Sequence, residues 1–297
     1  MKTSGIYSPC AYTVDVKSLK RPIHLAVLGD IHRDASGFSS RAWRHHRRKL
    51  STLENLYGIL IGDYLDFAST SERKQMRDTH ESTLKRMDIA VIDDVEKLAA
   101  EIQGCGFLGI AFLLNGNHVW EFTTNHLASF GTSALQQRGY PIVPDSDHLL
   151  AHILKTNCPG VMTICNFTLH YHGARLSYKI AGHHGKGGGS TIGSALNPIE
   201  KMSSNVEADI YVQGHTHQMA AAKRVRICLA DNKTKHRTIT MIRNGSFLKA
   251  YEDGEPSHVV DSQMTPAHLG GAVIRFDLFN EEIKGQKTFS AETMVMF

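Results

Sequence analysis

The chain has 297 residues, 41% of them hydrophobic and 21% charged, an ordinary globular balance with room for a substantial core. A formal net charge of +4 does not by itself call for nucleic acid, and no apolar run approaches the roughly 18 residues of a membrane span. The N-terminus lacks a signal-peptide core, and the five cysteines never form a CxxC pair, so a cytoplasmic protein with reduced thiols and no thiolate zinc site is expected.

Residues 1–20 carry little pattern and read as an N-terminal extension, followed by one domain over 21–297. Apolar runs bounded by turn residues predict strands at 23–29, 57–62, 107–114, 161–170, 178–182, 209–212, 224–229, 238–242 and 272–278. The clearest helix is predicted over 83–103, where Leu84, Met87, Val91, Val95, Leu98 and Ile102 step by three or four before Gly104. Further helices are expected within 124–138 and over 194–204. Strands alternating with helices, then a strand-rich second half, predict an α/β fold with a mixed sheet, as two packed sheets.

Five of the predicted strands run into glycine-punctuated turns bearing ligand-type residues. They lead to Asp30 and His32, to Asp63 and Asp66, to Asn117 and His118, to His183 and His184, and to His215 and His217. Ligands of open α/β sheets gather outside the carboxyl ends of strands, so these turns are expected on one rim. Glycine before each ligand permits a sharp turn. The donors are oxygens and imidazoles without sulfur, a set that suits Mn, Fe or Zn and fits calcium poorly. One ion needs three or four protein ligands, so seven such groups suffice for two ions sharing a carboxylate, a clamp suited to displacement at phosphorus.

Singly, a DxH or HxH pair is commonplace; the ordered series is specific. GDIHRD, GDYLD, GNH, HHG and GHTH resemble the five signature blocks of the calcineurin-like metallophosphoesterase superfamily, over Asp30 to His217. The resemblance implies a four-layer αββα sandwich, two mixed β-sheets flanked by helices. It implies two divalent cations (Mn, Fe or Zn, with Mn favoured for activity), one on Asp30, His32, Asp63 and His217, the other on Asp63, Asn117, His184 and His215. Asp63 would bridge them together with a hydroxide. His118 matches the family's non-ligand histidine, which stabilises the transferring phosphoryl group or protonates the leaving group.

The chain departs from the pattern after GNH, where an acid often follows and Val119 stands instead. Glu121 takes the orienting role if the segment turns helically. Of the adjacent histidines, His184 is preferred over His183 because Gly185 follows it directly.

Outside the blocks, the glycine-rich stretch 185–193 does not match a P-loop and reads as a rim loop, with Lys186 and Ser190 as candidate phosphate contacts. The basic run Arg41, Arg44, Arg47, Arg48 and Lys49 falls between the first two blocks, where a loop would overhang the rim. With Trp43 it is a candidate grip for a nucleic-acid backbone and a base, or else a solvated helix face. His170 and His172 alternate along a predicted strand and are weak candidates for the cleft. The expected activity is a metal-dependent phosphoric ester hydrolase acting on a mono- or diester, with a nuclease, a nucleotide phosphodiesterase and a small-molecule phosphomonoesterase as its forms. A non-catalytic binding or scaffold member would have lost ligands, and a nucleic-acid binder with a structural metal would show no turnover.

Overall fold

A computed structural model describes residues 7–67, 81–122, 128–186, 192–230, 232–249, 268–283 and 286–297. Eleven strands are seen among them: β1 (Cys10–Asp15), β2 (Ile23–Leu28), β3 (Leu56–Leu60), β4 (Gly109–Leu113), β5 (Met162–Tyr171), β6 (Ala174–His183), β7 (Ile210–Gln213), β8 (Ala220–Ala230), β9 (Lys233–Arg243), β10 (Val273–Ile283) and β11 (Gln286–Met296). Five helices accompany them: α1 (Ser40–Ser51), α2 (Glu81–Gln103), α3 (Ala128–Gln137), α4 (Ser146–Ile153) and α5 (Ile192–Asn205).

The strands form two mixed sheets, ordered β1-β5-β6-β7-β9-β8 and β11-β10-β2-β3-β4. Strand β2 explains the layering. All six of its residues are buried, as expected of a central parallel strand covered on both faces. Successive side chains alternate, so Leu25 and Val27 enter a core between the sheets with Ile59, Phe112, Phe167, Ile210, Val212 and Phe276. Ala26 and Leu28 face the other way, into a core with Trp43 and Leu50 of α1, Val95, Leu98 and Ile102 of α2, and Leu149 of α4. A third cluster packs Ile199 and Met202 of α5 on Ala181, Tyr211, Ile239 and Met241 of the other sheet. Helix, sheet, sheet and helix therefore stack in four layers, the αββα sandwich.

The nine expected strands are present, and the expected helix over 83–103 is α2. Four elements lie outside the strands and helices expected from the sequence, the short helix α4 among them. Within residues 1–20, read as an extension, β1 pairs in parallel with β5 from Cys10↔Cys165 to Asp15↔His170. Only Val14 of β1 is fully buried, which leaves too little alternation to read. Strand β11 carries a similarly weak pattern and pairs along its whole length with β10. The basic run, read as an overhanging loop or else as a solvated helix face, is the helix α1, capped by Ser39, whose side chain accepts from the Ala42 amide. All five cysteines are free thiols.

Candidate metal centre

Strands β2, β3 and β4 are mutually parallel neighbours in one sheet, and β6, β7 and β9 are parallel neighbours in the other. Each set therefore ends on a single edge. The turns after β2 and β3 are laced together: Asp30 N donates to Gly62 O (2.9 Å), and Ile31 N and His32 N to Asp63 O (2.8 and 3.1 Å). Gly214 N donates to His184 O (2.8 Å), joining the turns after β7 and β6.

Among the described residues, two groups of donors match the expected pair, each with its ligand-type atoms within 4.8 Å of one another: Asp30, His32 and His217, and Asp63, His184 and His215; a third such group, His32, Asp66 and His118, overlaps the first at His32. Asn117 joins the second, its Oδ1 lying 2.9 Å from both His184 Nε2 and His215 Nδ1. Asp63 stands between the groups. Its Oδ1 accepts from the amides of Asn117 (2.8 Å) and His118 (3.0 Å). Its Oδ2 lies 3.1 Å from His184 Nε2 and 3.8 Å from His32 Nε2. His184 Nδ1 donates to Ile61 O (2.8 Å), which fixes the tautomer with Nε2 free to act as a donor atom. His183 is not in the group; its Nδ1 accepts from Gly185 N (2.8 Å).

The backbone at these residues is unusual. Asp30, His32, Asp63, His215 and His217 all have positive φ, between 47° and 72°. The glycines beside them serve mainly to leave room. A Cβ at Gly116 would fall on Asp63 Oδ1, and one at Gly214 on Asp30 Oδ2. The sharp turns expected of the glycines are therefore made largely by the ligand-type residues themselves.

Electrostatics follow from burial of like and unlike groups together. Burial pushes the Asp30 carboxyl up to about 7. Burial opposes ionisation of Asp63 as well, yet the charge and hydrogen bond of His184, aided by His32 and His118, hold it well below the usual carboxylate range. Against its own desolvation, His184 is raised to about 9 by Asp63. Burial and the charge of His184 lower His215 to about 4, and burial with the charge of His32 holds His217 far down. His215 and His217 are thus neutral, as metal donors must be, whereas His184 and, against its own burial, His32 beside Asp66 and Asp63 are raised and favour a proton where a cation's charge would be. His32 Nε2 and His217 Nδ1 are buried without a hydrogen-bond partner. Orphaned imidazole nitrogens beside buried carboxylates, with no sulfur in the set, fit a divalent transition metal.

His118 lies at the rim, its side chain 24% exposed, with its ring 5.2 Å from that of His32. The expected orienting role of Glu121 is not supported, since residues 117–121 are not helical and Glu121 instead makes a bridge with Asp145. The carboxylate beside His118 is Asp66, whose Oδ1 lies 3.1 Å from His118 Nδ1, off the line of a good hydrogen bond, and 2.9 Å from His32 Nδ1. Its signal was its place three residues after Asp63 in the GDYLD block. Other supports carried no sequence signal. Asp147 accepts from Gly116 N (3.0 Å), Arg243 donates to Gly214 O (2.7 Å) and Ser246 to Asp30 O (2.8 Å), the last two from the end of β9.

Other candidates stand apart. Trp43 is 2% exposed and donates to Glu101 (2.6 Å), so it is core and not a stacking platform. Arg47 lies over the Trp43 ring and Lys49 donates to Phe297 O, whereas Arg41, Arg44 and Arg48 are exposed. His170 and His172 sit at the β5–β6 turn, at the opposite end of β6 from His183, and do not line the cleft; His170 pairs with Asp15. Lys186 is exposed, and Ser190 lies outside the described residues.

No family model matches the chain, and neither does any curated protein. Similar solved structures include a single mutant of Vps29 from Entamoeba histolytica, 10% identical, with a TM-score of 0.31, covering 93% of this chain and 100% of that one. A Vps29 double mutant from the same organism is 9% identical, with a TM-score of 0.33 and the same coverage. A conserved protein of Streptococcus pneumoniae, a predicted phosphoesterase, is 12% identical with a TM-score of 0.32, covering 91% of this chain and 98% of that one.

Proposed function

We propose that the chain is a dinuclear metal-dependent phosphoesterase. Asp30, His32, Asp63 and His217 hold one divalent cation and Asp63, Asn117, His184 and His215 the other, with Mn favoured for activity. The observation that carries this reading is Asp63: one carboxylate oxygen is occupied by two backbone amides, and the other faces a histidine of each group. Bound there, divalent cations supply the Lewis acidity that makes water nucleophilic near neutral pH and neutralise charge on phosphoryl oxygens.

The chain's own residues supply positioning and a proton. Asp66 lies 3.1 Å from His118 Nδ1, so Nε2 is the nitrogen offered to substrate. From there His118 donates a hydrogen bond to a phosphoryl oxygen or a proton to the leaving oxygen. Neutral His215 and His217 are ready as donors without first losing a proton.

For the substrate, the exposed arginines at 41, 44 and 48 favour a polyanion such as a polynucleotide. They form an i, i+3, i+7 row on α1, and the start of that helix is tied to the rim because Ser39 N donates to Phe247 O and Phe247 N to Asp30 O. Base stacking on Trp43 is no part of this reading. A small-molecule phosphomonoesterase is the alternative.

The test is a Mn-supplemented panel of chromogenic phosphate mono- and diesters with single- and double-stranded DNA and RNA. Turnover that disappears on chelation and returns with Mn supports the phosphoesterase. Bound metal with no turnover on any substrate leaves a non-catalytic binding protein. If the row grips a polyanion, replacing Arg41, Arg44 and Arg48 by alanine lowers the log-log salt slope of binding by about two to three, since each phosphate contact contributes about 0.7–0.9. An unchanged slope makes the row a solvated face.

A further inference from the structure

Strand β8 is the last strand of its sheet, pairing with β9 alone among the described strands. Strand β7 meets β9 only over Thr240–Arg243, so the β8–β9 hairpin runs on beyond the body of the sheet. Along β8 the side chains alternate. Val225, Ile227 and Leu229 lie on one face, 56%, 69% and 74% exposed. That face continues the one between the sheets, because Ala221 on it pairs with Ile242 of the inter-sheet core. The other sheet ends at β11, where Lys223 donates to Thr293 O, and the three apolar side chains beyond it are exposed. On the opposite face, Arg224 pairs with Glu200, and Arg226 donates to Ser203 O beside an open groove that also includes Glu207, Cys228 and Arg237.

Edge strands of soluble proteins are normally blunted by charge on the open face. Here the arginines point towards α5, and the open face is aliphatic. The hairpin is also basic: residues 223–237 include Lys223, Arg224, Arg226, Lys233, Lys235 and Arg237 against Asp231 alone, although Arg224 is paired with Glu200 and Arg237 with Glu207 and Asp209.

We infer that the outer edge of β8 is a docking site for an extended segment of a partner protein in which apolar residues alternate with acidic ones. Added beside β8, such a segment pairs with the edge N–H and C=O groups and lays its apolar residues over Val225, Ile227 and Leu229. Its carboxylates then face Arg226 and the exposed Lys233, which lies on the same face of the hairpin. Charge decides against a second copy of this chain, since two-fold pairing of β8 would set Arg224 and Arg226 against those of the other copy. An anionic membrane would suit the lysines but leaves the strand's edge amides without partners.

The inference is independent of the metal chemistry. Full-length protein is used to select from a displayed library of random 12-residue peptides, and a fluorescein-labelled peptide of the enriched sequence is titrated by anisotropy. Enrichment of alternating apolar and acidic residues is expected. Ile227→Lys and Arg226→Glu should each weaken the labelled peptide's binding by about tenfold or more, the loss of one strong interface contact. Circular dichroism and metal content monitor the fold of both variants. No enrichment, or binding that both variants retain, overturns the proposal. So does concentration-dependent dimerisation that Ile227→Lys abolishes, which assigns the edge to a second copy. Flotation with phosphatidylcholine–phosphatidylserine vesicles that depends on Ile227, without peptide selection, assigns it to a membrane.

Discussion

Replacing Asp63 by asparagine tests the shared-carboxylate reading most directly. The amide keeps the volume, and its remaining oxygen must stay in the Oδ1 position, where the Asn117 and His118 amides donate at 2.8 and 3.0 Å. The NH2 group is then forced into the Oδ2 position, 3.1 Å from His184 Nε2 and 3.8 Å from His32 Nε2. A nitrogen donor carrying two hydrogens offers no lone pair to a cation, and the negative charge facing both histidines is gone.

Asp63 is 2% exposed, so solvent screens little of this loss. Truncating one partner of a buried, hydrogen-bonded charge pair costs about 2–5 kcal/mol of binding, or about one to four decades in affinity at about 1.4 kcal/mol per decade. Because Oδ2 faces both groups, the loss should fall on both cations, whereas His215→Ala should remove only the one held with Asn117 and His184. Elemental analysis after dialysis against limiting metal, run beside turnover of a chromogenic phosphate ester, measures it. Retention of both metals with near-normal turnover would refute the dinuclear assignment.

His118→Ala should leave both metals in place and lower kcat by about 10²–10⁴, less for a nitrophenolate leaving group that needs no proton. Equal losses with good and poor leaving groups would favour charge stabilisation, and loss of metal would make His118 a ligand. His184→Ala should strip the second cation while His183→Ala leaves it bound, and elemental analysis showing the opposite would reverse the choice between the neighbours. In the metal-free protein His184 is raised to about 9 by Asp63, so a cation entering that position displaces a proton. Affinity should climb about tenfold per pH unit up to about pH 9, with proton release visible by calorimetry in two buffers; a flat profile would contradict it. The same shift gives a stability contribution that is complete below the unperturbed value of 6.5 and lost as pH rises through about 9, so thermal melts of the metal-free protein should follow that fall.

The candidate site was legible because its residues sit where no core would want them. Asp30, Asp63, Asn117, His184 and His215 end apolar strands, and a change from buried aliphatic to ligand-type side chain at five strand ends stands out in one dimension. The helix α1 was harder. Its fully buried apolar side chains are only Trp43 and Leu50, with His46 between them 6% exposed, so the face it buries is written partly in a polar residue type. Counting Trp43, His46 and Leu50 together restores the spacing of three and four that an amphipathic helix requires. The supports from Arg243 and Ser246 were hidden for a different reason. They act on backbone carbonyls of Gly214 and Asp30, and a contact to a backbone group leaves no complementary residue type in the sequence.

What no residue pattern displays is the backbone strain at the ligand-type positions. A non-glycine residue in the left-handed region costs about 1–3 kcal/mol, and five of the proposed ligands adopt it. Neighbours brace that conformation: Asp30 N and His32 N donate into the Asp63 turn, and Phe247 N and Ser246 Oγ both donate to Asp30 O. Crowding closes the alternatives, since a side chain at Gly62 would meet His184 Nδ1 at 2.5 Å. The packed sheets and turn hydrogen bonds beneath the donors thus meet part of their ordering cost during folding. It follows that Gly116→Ala, which adds one methyl group onto Asp63 Oδ1 and touches no proposed ligand's chemistry, should weaken metal binding as a ligand change does.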